Sequence, residues 1–106
     1  MKYMLFIATD PDAPLPEKIG DIDEWLRSVE GVRLDGDRLQ YPATATSVRA
    51  RDGKPVVTDG PFAETKEQIC GYDVIDCADL DEAIDIAARH PVAAWGTIEI
   101  RPFWTD

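Results

Sequence analysis

The sequence predicts an α+β fold, an antiparallel sheet with two helices packed on one face, close to the split βαβ, ferredoxin-like arrangement. Three observations carry this. Two amphipathic helical stripes, each opened by an aspartate cap, separate runs with strand chemistry. Asp52-Gly53, a dipeptide favoured in tight hairpins, lies between two β-rich runs. The elements then fall in the order strand, helix, hairpin, strand, helix, strand. At 106 residues the chain reads as one domain, residues 1–106, with room for one core.

Residues 2–9 are almost continuously apolar and read as a central strand covered on both faces. Residues 10–16 hold three prolines and two aspartates and can only be a loop. The first helix starts from Asp21, with Glu24 as its capping partner. Its apolar stripe is Ile22, Trp25, Leu26 and Val29, and Gly31 stands at its C-terminal end. Asp35-Gly36-Asp37 then reads as a turn, followed by a short extended piece that Pro42 stops. The hairpin runs from Thr44 to Arg51 and back from Lys54 to Thr58, ending at Asp59.

Residues 68–76 form the next strand, in which Gly71 marks a bulge or a close approach by another group. Asp79 caps the second helix and Glu82 closes its capping box. Leu80, Ala83, Ile84, Ala87 and Ala88 make its predicted apolar face, and His90-Pro91 ends it. Three acids of the run over residues 73–88 sit in the first turn of this helix, where the helix dipole favours them, and the spacing of the run is not that of a calcium loop. Residues 96–103 are the last strand, which Pro102 either ends or makes an edge. A sheet covered on one face leaves the other apolar, so homodimerisation is expected.

Composition narrows the function. Twenty-one acids against 11 Lys and Arg give a formal charge of −10, which repels phosphate backbones and anionic lipid. Neither nucleic acid nor membrane is an expected partner. The apolar run at Met1–Ala8 is too short for a membrane span and leads to no cleavage site, so a cytoplasmic location is expected. Cys70 and Cys77 fit no zinc spacing and read as free thiols. There is no phosphate loop, metal cluster or nucleophile with its base, so neither cofactor nor metal is expected.

The most informative stretch is Val57-Thr58-Asp59-Gly60-Pro61-Phe62-Ala63-Glu64-Thr65-Lys66-Glu67. Gly60 is free to take positive φ, Pro61 prevents the strand from continuing, and Asp59 is expected to fold its carboxylate onto the following amides as an Asx turn. With Pro42–Arg49, Gly71-Tyr72 through Ala88, and Glu99-Ile100-Arg101-Pro102, this stretch resembles the YCII-related, or DGPF-motif, family of small bacterial proteins. The resemblance implies a ferredoxin-like α+β dimer of the alpha/beta barrel kind, with a cleft near the motif. It also implies, for some relatives, acid/base elimination chemistry by a histidine and an aspartate. The aspartate matches Asp59, whereas residues 16–31, where those relatives carry the histidine, contain none. A second implication is association with extracytoplasmic-function sigma factors, as an accessory or regulatory protein.

The candidate catalytic residue is therefore Asp59, either a general base or a turn residue satisfied by backbone amides. Arg49, Glu64, Lys66 and Tyr72 are candidate ligand contacts. The plain alternatives are a solvated hairpin cation, two surface charges, and a core tyrosine with its hydroxyl bonded. Phe62 is assigned to the core or to a dimer contact. His90 is expected to terminate its helix, where the dipole favours the protonated imidazole. The reading is a small polar organic ligand bound near Asp59, with acid/base elimination or isomerisation as its chemistry; the alternative is the sigma-factor accessory.

Overall fold

The computed structural model describes residues 1–105; Asp106, the last residue of the expected domain, lies outside the described residues. In chain order the elements are β1 (Lys2–Thr9), α1 (Ile22–Ser28), β2 (Arg33–Arg38), β3 (Thr46–Arg51), β4 (Lys54–Asp59), β5 (Gln68–Asp76), α2 (Leu80–Arg89) and β6 (Thr97–Pro102). Four strands form one antiparallel sheet in the order β2-β5-β1-β6, while β3 and β4 pair only with each other. This α+β arrangement is consistent with a ferredoxin-like fold. The sheet is open, with β2 and β6 at its edges, and no barrel closes within the described residues.

Strand pairs share a face, so the register sorts the side chains. Tyr3, Leu5, Ile7 and Ile75 lie beneath the helices and meet Trp25 and Val29 of the α1 segment and Ala83 and Ile86 of α2. Leu5, Val29 and Ile75 are wholly buried. The Trp25 indole N–H donates to the Ile86 carbonyl at 3.0 Å, tying the two helices together. Both caps form as the sequence predicts: Asp21 accepts from the Glu24 amide at 3.1 Å, and Asp79 from the Glu82 amide at 2.9 Å.

Four expectations are corrected. β1 is central but covered on one face only, since Met4 and Phe6 point to the open side and are half-buried. Asp35-Gly36-Asp37 is strand β2 rather than a turn, paired with Val74, Asp73 and Tyr72 of β5. The hairpin lies outside the main sheet. The buried face of α2 is Ala83, Ile86 and Ala87, with His90 beyond it, while Leu80 and Ile84 are exposed. That face has the same helical spacing as the expected one, rotated so that the small alanines lie nearest the sheet.

Candidate functional site

β4 ends at Asp59 because the backbone there is turned and then held. Gly60 takes φ +95°, a conformation that costs a residue with a Cβ. Its N–H donates to the Ala45 carbonyl at 2.7 Å, and its own carbonyl accepts from the Ser47 hydroxyl at 2.8 Å. Asp59 pairs with Thr46 across the ladder. The turn is thus stitched to the start of β3 on both of its backbone polar groups.

The Asp59 carboxylate has no such partner. It is exposed and accepts no hydrogen bond from the described residues, so the expected Asx turn does not form. The reason is local. The amide an Asx turn would use belongs to Pro61, which has no N–H, and the Gly60 N–H is already spent on Ala45. Phe62 is 82% exposed, which overturns its assignment to the core.

The other predicted ligand contacts are dispersed. Arg49 pairs with Val56 and lies on the opposite face of the hairpin from Asp59. Glu64 and Lys66 are exposed on the loop between β4 and β5. That loop is anchored at its far end, where the Gln68 amide donates to the Thr65 carbonyl at 2.7 Å and Glu67 accepts from the Thr97 hydroxyl at 2.7 Å. Tyr72 lies on the open face of the main sheet, its hydroxyl 3.5 Å from Asp35, whose charge pushes the phenol above its usual range. One chain alone does not bring Asp59, Arg49 and Tyr72 into a common pocket. Two shallow clefts, of about 440 and 300 Å³, are lined by Arg38–Tyr41 and by Leu26, Arg27, Glu30, Gly31 and Arg33, and neither includes Asp59.

Two buried polar groups lie elsewhere. Asp73 sits on the helix-covered face of β5 and accepts from Arg33 Nε at 2.7 Å; burial pushes its carboxyl up, and the arginine only partly offsets this. Gly36 makes room for the pair, since a Cβ there would run into the Asp73 carboxylate, the Arg33 guanidinium and the Tyr72 carbonyl. Sequence reasoning passed over this pair, although an acid at an inward position between Gly71 and Ile75 signals a buried partner. His90 is buried edge-on against Trp25, ring centres 4.6 Å apart, and its Nδ1 accepts from the Val92 amide at 3.0 Å. Burial lowers its pKa to about 4, so the ring is neutral at pH 7. This corrects the expected protonated helix end, because desolvation outweighs the dipole.

Among the described residues no cluster of three or more His, Cys, Asp or Glu side chains is placed to hold a metal, and no helix is long and apolar enough to cross a membrane. The sequence profile of the YCII-related domain matches residues 1–105. An uncharacterised protein of Rhizobium meliloti (strain 1021) is 48% identical over 67 residues, covering 61% of this chain and 54% of that protein. The chain thus spans about half the length of the curated relative it matches.

Proposed function

The chain belongs to the YCII-related domain family, and on that premise we propose that it is a homodimer that binds a small polar organic molecule at the Asp59-Gly60-Pro61-Phe62 turn. The observation that carries the reading is the unpartnered Asp59 carboxylate on a backbone held at both Gly60 polar groups. A fixed acceptor with free lone pairs is suited to a ligand hydroxyl or amine, and the exposed Phe62 ring beside it offers an apolar contact. For Asp59 to act as a general base in an elimination or isomerisation, water must be excluded from it. A second chain closing over the turn would do that, and Glu64 and Lys66 would then lie at the rim.

A thermal-shift screen of small hydroxy compounds, amines and lactones, run on the wild type and on Asp59→Asn, tests the reading. It expects hits whose shift is lost or reduced in the variant. Hits that shift both proteins equally would remove Asp59 from the site.

The sigma-factor accessory reading has its own support. The chain's one histidine is buried away from Asp59, and Tyr41, Phe62 and Trp104 are 73%, 82% and 91% exposed. Exposed aromatics of this kind suit a protein partner. A stoichiometric complex with an extracytoplasmic-function sigma factor that survives Asp59→Asn, with no small-molecule hit, would favour this second reading.

A further inference from the structure

We propose that the β3–β4 hairpin is an exchanged arm, lying in trans across the open face of the four-stranded sheet of a second copy of this chain. The inference rests on the homodimer reading above and adds to it which surfaces meet.

The first argument is size. The radius of gyration is 15.8 Å, against about 13 Å for a compact domain of this length. The accessible surface is 7840 Å², against roughly 5,900 Å² for a folded monomer of this mass. The excess of about 1,900 Å² is more than the ~800 Å² that each partner buries in an ordinary stable complex. The body is flat, 46 × 43 × 18 Å, and the arm is among its most exposed parts.

The arm cannot hold itself. A lone two-stranded ribbon is marginal in water, because it has no layer behind it. Every residue of β3 and β4 is exposed except the half-buried Ser47. Val48 pairs with Val57 and Ala50 with Pro55, so these four form an apolar stripe on one face. Val48 and Val57 remain 64% and 60% exposed. The open face of the main sheet supplies a matching floor, where Met4 pairs with Val74 and Phe6 with Tyr72, all half-buried. Asp35 and Asp37 border that floor on β2.

Charge selects arm on body over body on body. Residues 46–59 hold Arg49, Arg51 and Lys54 against Asp52 and Asp59, a net of +1. With −10 for the whole chain, the remainder carries −11. Two bodies repel each other, while each arm is drawn to the other body. The acidic border at Asp35 and Asp37 lies beside the floor the arm would cover.

Complementation between two monomeric variants tests the contact. Val48→Asp with Val57→Asp disables the arm at positions already exposed in the monomer, and Phe6→Glu disables the floor; Val74→Glu replaces it should Phe6→Glu misfold by circular dichroism. Each variant alone is expected to weaken dimerisation by at least about tenfold. Their equimolar mixture is expected to form heterodimers by native mass spectrometry, since one arm and one floor survive. An arm variant that dimerises as tightly as wild type overturns the arm while leaving the homodimer standing. Two monomeric variants that give no heterodimer also overturn it. A monomeric wild type at high micromolar concentration overturns both.

Discussion

Asp59 is left free by its neighbours. Proline in the place of the bonding amide, and a glycine N–H committed to Ala45, leave its carboxylate facing solvent at a fixed position. Asp59→Asn should therefore change stability by less than about 0.5 kcal/mol, as surface substitutions do. Chemical denaturation checks this, and a loss well above that size would reveal a bond to the charge. His90 behaves oppositely. Its folded pKa, about 4, lies below the ordinary 6.5, so the fold disfavours the cation. The stability this confers is complete above pH 6.5 and is lost as the pH falls towards 4, by up to about 3 kcal/mol. Urea midpoints at pH 7 and pH 4.5 should differ more for the wild type than for His90→Gln. Equal differences would contradict a buried neutral imidazole. The buried histidine was not legible in the sequence, because only the tertiary packing of Trp25 reveals how dry that helix end is.

At the scale of elements, the parts with local signals were legible. The caps at Asp21 and Asp79, the Asp52-Gly53 hairpin and the limits of β1 and β5 follow from propensity and pattern. The register shift beside Gly71 likewise answers its glycine. β2 escaped because Gly36 serves a distant pair, and nothing within Asp35-Gly36-Asp37 distinguishes a strand glycine from a turn glycine. The pair itself should be costly to break and cheap to replace. Arg33→Met leaves Asp73 buried without its partner and should cost about 3 kcal/mol or more. Adding Asp73→Leu should recover most of that loss. Additive losses in the double variant would mean that the two side chains do not act as a pair. Of the predicted site, the turn itself was legible. The dispersion of Arg49 and Tyr72 was not, since it depends on the hairpin leaving the sheet.

For the whole molecule, the shape and surface are those of a flat body with an open sheet face and an exposed ribbon. One sheet face is covered by two helices, the other is half-apolar and open, and a basic, apolar-striped ribbon extends from an acidic body. Two helices and one sheet raise the expectation of a partner, but nothing in the sequence points to the proposed arm. The proposed closure over the open face would also bring a second chain near Asp59 and exclude water from it. Self-association is therefore the premise of both the proposed ligand site and the proposed arm. Sedimentation equilibrium of the wild-type protein across micromolar concentrations tests it most directly. A mass twice the 11.8 kDa of one chain is expected; a mass of 11.8 kDa at every concentration would contradict it.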